Sequence, residues 1–171
     1  MKILLIVVGA FVALVGLVLL IGAMLPRKHV ASREITLRRS PAAVYAAVRD
    51  VASAPSWRTD LNAIETLESV EGRHRFREKS SNGLITYEVV EEVANEKLVT
   101  RIVDRDLGYF GSWIYEFLPN ESGTRIRITE NGEVPNVLFR FASRFVFGHT
   151  ATMDSYLRAL GRKFGEDTMA K

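Results

Sequence analysis

Polar and apolar positions divide this chain into one run without alternation and a longer part full of it. Residues 3–25, ILLIVVGAFVALVGLVLLIGAML, carry no charge. A helix of about 23 residues rises about 35 Å, enough to cross a hydrocarbon core of about 30 Å with some tilt. Lys2 precedes the run, and Pro26, Arg27, Lys28 and His29 follow it. The proline marks a helix end, and the basic cluster suits lipid headgroups. The rival reading is a cleaved signal peptide. The run exceeds the roughly 7–15 apolar residues of a signal core, and Ile21-Gly22-Ala23 is a poor cleavage site, which favours an uncleaved anchor. Being apolar on every face, the run does not read as a one-sided core helix.

Alternation begins at Val30. Val30–Arg38 reads as a first strand, and Ser40-Pro41 as a helix start with an N-cap serine and proline at the first helical position. Val44, Tyr45 and Val48 make the apolar stripe of that helix, and Val51–Trp57 forms a second short turn. Strand-like runs follow at Leu61–Val70, Arg73–Lys79, Leu84–Val93, Lys97–Val103, Tyr109–Leu118 and Thr124–Glu133. Glu71-Gly72, Ser81-Asn82-Gly83, Asn95-Glu96 and Pro119–Gly123 supply turns between them. After Pro135 the period changes. Leu138, Phe141, Phe145, Thr152, Tyr156, Leu160 and Phe164 predict one long helix from Asn136 to about Phe164, with a gap near Gly148-His149. A long helix after a meander packs across the sheet, an α+β arrangement.

Two parts result: an anchor with its basic flank over residues 1–28, and a domain over residues 29–171. The latter, roughly 140 residues, is a normal size for one domain with its own core. The net charge of +3 is small and interspersed, so nothing marks a nucleic-acid stripe. Basic residues after the anchor (Arg27, Lys28, Arg33) outnumber those before it and favour a cytoplasmic domain. With no cysteine there is neither a disulfide nor a thiolate metal site. The three histidines, His29, His74 and His149, are scattered and give no metal constellation. No phosphate loop, catalytic triad or carboxylate pair stands out, so no cofactor is expected and no case for an enzyme arises.

Several short segments are similar to one family in order and spacing. They are Glu34-Ile35-Thr36-Leu37 with Ser40-Pro41-Ala42-Ala43-Val44-Tyr45, Asp50 with Trp57 downstream, Gly111-Ser112-Trp113, Gly123-Thr124-Arg125-Ile126, and Val134-Pro135-Asn136. Over roughly Ala31 to Glu166 the domain resembles the START-like, Bet v 1-like superfamily, also called SRPBCC or polyketide cyclase/dehydrase-like proteins. The resemblance implies a helix-grip fold: a curved antiparallel sheet of about six to seven strands around a C-terminal helix, with two short helices after the first strand. It also implies an apolar cavity that holds lipids, sterols, polyketides or similar molecules. Some such proteins are cyclases or hydrolases and many have no catalytic activity, so fold alone does not assign function.

Aromatic residues are the candidate ligand contacts. Trp113, Tyr115 and Phe117 share one side of a strand, as cavity wall or as ordinary core. Phe141, Phe145 and Tyr156 carry the same two readings on the helix. Tyr87 offers a hydroxyl to orient an apolar ligand, or to satisfy a backbone carbonyl. Trp57 borders the cavity entrance in similar proteins, or packs a loop on the sheet end. His149 sits where the helix stripe has its gap and is a candidate to point inward. Arg58 and Asp60 are expected in solvent. Phe139, Arg140, Phe141, Arg144, Phe145 and Phe147 make the helix start aromatic and basic, either closing the cavity mouth or touching the bilayer. The expected function is membrane-tethered binding of a hydrophobic small molecule. A cyclase or hydrolase, or a membrane-associated interaction module, are the alternatives.

Overall fold

The computed structural model describes residues 1–80, 83–148 and 150–171. The Ser81-Asn82-Gly83 turn signal falls partly outside the described residues. The chain opens with α1 (Lys2–Met24), then β1 (Lys28–Leu37), α2 (Pro41–Arg49) and a 3-10 turn (Val51–Ser56). Six strands follow: β2 (Leu61–Val70), β3 (Arg73–Ser80), β4 (Gly83–Val93), β5 (Lys97–Ile102), β6 (Phe110–Asn120) and β7 (Gly123–Glu133). The chain finishes with α3 (Val137–Ala142), a π turn (Ser143–Phe147) and α4 (Ala151–Lys163).

All seven strands form one antiparallel sheet in the order β1-β7-β6-β5-β4-β3-β2. This is the helix-grip arrangement. Its first and second strands lie at opposite edges, and α2 with the 3-10 turn carries the chain between them. Local chemistry starts that crossover. Ser40 Oγ accepts the Ala43 N–H at 3.3 Å, Pro41 stands at the first helical position, and Asp50 accepts the Ser53 N–H. On the covered face, Leu37, Phe117, Ile126 and Ile128 meet Met153, Leu157 and Leu160 of α4, with Val44 and Val48 of α2 closing one end. Each fully buried side chain of this kind contributes about 1.5–3 kcal/mol. On the opposite face the Glu88 carboxylate is covered by the guanidinium groups of Arg73, Arg75 and Arg101. Arg75 above all holds its carboxyl below the usual carboxylate range. At the sheet margins, Glu34 and Lys171 exchange two backbone hydrogen bonds of 3.0 Å along β1, and the pairing of β2 slips at Leu61/Ala63 and Leu67/Val70.

The expected single helix over Asn136–Phe164 is broken. Asn136 caps α3 by accepting the Leu138 and Phe139 N–H groups. After the π turn, Gly148 adopts φ +72°, a left-handed conformation that ends a right-handed helix. Of these two helices, α4 lies on the sheet. α3 packs instead against the last turn of α1, where Gly22 presses on Val137 so closely that a Cβ would overlap the Val137 carbonyl. Arg140, buried at 8% exposure, donates to the carbonyls of Leu25 at 2.8 Å, Ala23 at 3.5 Å and Pro135 at 3.4 Å. Two of these belong to the end of α1, where carbonyls lack helical partners. α1 is long and apolar enough to cross a membrane, and residues 3–17 are exposed.

Candidate functional site

Because opposite residues in an antiparallel pair project to the same side, register decides what meets on the covered face. Trp113 of β6 lies opposite Glu130 of β7, and His29 of β1 lies opposite Gly132. The Trp113 Nε1–H donates to Glu130 Oε2 at 2.7 Å, and His29 Nε2 lies 2.9 Å from Glu130 Oε1. The His29 ring crosses directly over Gly132, where any Cβ would overlap it. The glycine therefore lets the imidazole reach the carboxylate.

These three residues line a cleft of about 570 Å3 between the sheet and the α3–α4 break. Its apolar walls are Ile85 of β4, Ile102 of β5, Leu107 from the following loop, Val134 and Phe139 of α3. Tyr87 and Tyr109 add phenols. Burial pushes the pKa of both upward, so each keeps its proton and can donate a hydrogen bond. Tyr87 also stacks on Phe76, with ring centroids 5.4 Å apart.

Of the candidate residues, Tyr87 and Trp113 line this cleft. Trp57, Tyr115 and Tyr156 lie deeper, around a space of about 20 Å3, roughly one water in size. Tyr156 is the hub, with ring centroids 5.5 Å from Trp57 and 5.8 Å from both Trp113 and Tyr115. Phe117 is 1% exposed and meets Tyr45 edge-on. Phe141 and Phe145 pair with each other at 5.0 Å and are not among the cleft-lining side chains. His149 lies outside the described residues.

Arg58 corrects an expectation. It is 7% exposed, not solvated. Its guanidinium donates to Glu78 at 2.6 and 3.2 Å and to Asp60 at 2.7 Å, and sits 5.1 Å from the Tyr156 ring centroid. Burial alone would lower its pKa, but Asp60 and Glu78 more than offset that and hold it above the ordinary value. Glu78 stands twenty positions along the chain, so the pair exists only once β3 is in place. The Trp57 indole N–H beside it is buried without a hydrogen-bond partner.

His29 and Glu130 are not among the candidate ligand contacts that the sequence offers, yet both line the cleft, as does Phe139, which the sequence places either at the cavity mouth or against the bilayer. Glu130 did leave a signal: it follows Ile126 and Ile128 at a spacing of two, an acid in phase with an inward apolar row. Among the described residues, no group of three or more metal-ligating side chains is assembled.

Residues 28–165 match the model of the family described as polyketide cyclase / dehydrase and lipid transport. No curated protein matches the sequence. Several solved structures share the fold. A START superfamily protein from Mycobacterium smegmatis aligns with a TM-score of 0.63 and 17% identity, covering 80% of this chain and 97% of that one. The ZhuI aromatase/cyclase from Streptomyces sp. R1128 aligns at 0.64 and 11% identity, over 80% and 93% of the two chains. The di-domain aromatase/cyclase StfQ of the steffimycin biosynthetic pathway aligns at 0.62 and 14% identity, over 78% of this chain and 49% of its own, so this chain spans about half of StfQ.

Proposed function

Since the chain belongs to the polyketide cyclase / dehydrase and lipid transport family, we propose that it binds a lipid or similar hydrophobic small molecule in the cleft beside α1, which tethers it to a membrane. The observation that carries this reading is the cleft itself. Its volume of about 570 Å3 falls within the usual range for small-molecule sites, and its walls are mostly apolar with a few converging polar groups.

Placement supports the tether. In this reading residues 1–28 are the anchor and residues 29–171 the binding domain. Arg140 grips the end of α1, and its neighbour Phe139 forms cleft wall, so the cleft mouth stands where the chain would leave the bilayer. Leu138, Phe139, Phe145 and Val146 around it are 49–66% exposed, an apolar group suited to the headgroup–acyl boundary. A ligand would then pass between bilayer and cleft with little exposure to water.

The test is to purify the full-length protein from membranes and extract bound material for mass spectrometry. A species enriched over the bulk lipids is expected, and it should be lost in Ile102→Trp, which fills the cleft. Identical profiles for both proteins would reject the reading. A cyclase- or hydrolase-type reaction is the second reading, favoured by the His29–Glu130 pair inside the cleft. Recovery of the extracted molecule in chemically altered form after incubation with the protein would move the assignment there.

A further inference from the structure

The charge of the cleft wall is one-sided. Glu130 is the only acidic residue on it, and neither lysine nor arginine lines it among the described residues. Arg58, a buried cation on the same face, is already committed to Glu78 and Asp60 around a separate space, and Arg140, the other buried arginine among the described residues, donates to the carbonyls of Ala23, Leu25 and Pro135. His29 is engaged with Glu130 itself.

The carboxylate also has capacity left. A carboxylate accepts about four hydrogen bonds. Trp113 contributes one to Oε2, and His29 contacts Oε1. The Glu130 side chain keeps 22% of its surface exposed and lines the cleft. What it can still accept is an O–H or N–H.

An anionic headgroup fits poorly beside it. Like charges a few ångströms apart in a partly desolvated cleft repel strongly, and among the described residues no lysine or arginine lines the cleft to compensate. A neutral or cationic donor meets no such penalty, and its apolar remainder matches Ile85, Ile102, Leu107 and Phe139.

From this we infer that Glu130 is the polar anchor of the cleft, and that the ligand is an apolar molecule carrying a hydrogen-bond donor without negative charge, a hydroxyl or an amine. The inference rests on the binding reading above and names the class of molecule bound. Trp113 and His29 are positioning residues: they hold the carboxylate in one orientation, so its free lone pairs keep a fixed direction into the cleft.

The test uses the full chain in phosphatidylcholine nanodiscs and three brominated probes of equal chain length: a fatty alcohol, a fatty amine and an alkyl sulfate. Bromine quenches tryptophan at short range, and Trp113 lies on the cleft wall, so quenching reports occupancy. The alcohol and the amine are expected to bind at least about 10-fold more tightly than the sulfate. In Glu130→Gln, which removes the charge and keeps an acceptor oxygen, that gap should close to less than about 3-fold. The wild-type ranking is read first and stands without the variant. Sulfate binding equal to alcohol binding overturns the inference while leaving hydrophobic binding intact. An unchanged gap in a folded Glu130→Gln protein removes Glu130 from the role. Absence of binding by all three probes rejects the cleft as a binding site, and the inference with it.

Discussion

Two carboxylates on the covered side of the sheet, Glu78 and Glu130, are handled differently. Glu78 is neutralised by Arg58 at 2.6 Å, with Asp60 completing the guanidinium's partners. Breaking such a buried pair from one side leaves an uncompensated charge. Arg58→Met is therefore expected to destabilise the domain by roughly 3–5 kcal/mol. Arg58→Met combined with Glu78→Leu should recover most of the loss, because the orphaned carboxylate is gone. Thermal or denaturant unfolding of the two single variants and the double variant measures this, and a double variant no better than Arg58→Met would refute the account. Alternation in the sequence places Phe76 and Ile128 inward, and Glu78 and Glu130 follow each of them at a spacing of two. The phase was thus legible, but the partners were not. Arg58 finds Glu78, and Trp113 finds Glu130, through strand pairings that no local pattern encodes.

The strands and their succession along the chain are legible at the level of elements, since turn residues and period-two runs are local features. The C-terminal helix was not. Leu138, Phe141 and Phe145 keep a spacing that Tyr156 and Leu160 continue on one stripe, although α3 and α4 bury against different things. The gap at Gly148-His149 was the visible mark of the break. α3 instead serves α1. Arg140 supplies donors to carbonyls that a helix end leaves open, and the contact at Gly22 lets α3 approach. Arg140→Gln should leave α4 and the sheet protected while the α3 amides exchange faster, with local protection falling by about 1–3 kcal/mol. Hydrogen exchange resolved by mass spectrometry checks this. Unchanged exchange in α3 would mean that the clamp holds nothing.

For the whole molecule, the proposed anchor leads to a prediction about sidedness. Arg27, Lys28 and Arg33 follow α1, against Lys2 before it, and the basic flank of a span tends to stay in the cytoplasm. The chain has no cysteine, so a single introduced thiol reports topology without background. Glu121→Cys, in the exposed turn between β6 and β7, is expected to react with a membrane-impermeant maleimide only after the cells are permeabilised. Labelling in intact cells would place the domain outside.

The sheet margins bear on self-association. An open seven-stranded sheet offers two rows of unpaired backbone groups to any other chain that approaches it. Along β1, the Glu34 backbone is already occupied by Lys171, which interrupts that row midway. Along β2, two register slips and the charges of Glu65 and Glu68 spoil the flat, regular template that intermolecular pairing requires. Crowding therefore meets a molecule whose borders discourage β-type polymerisation.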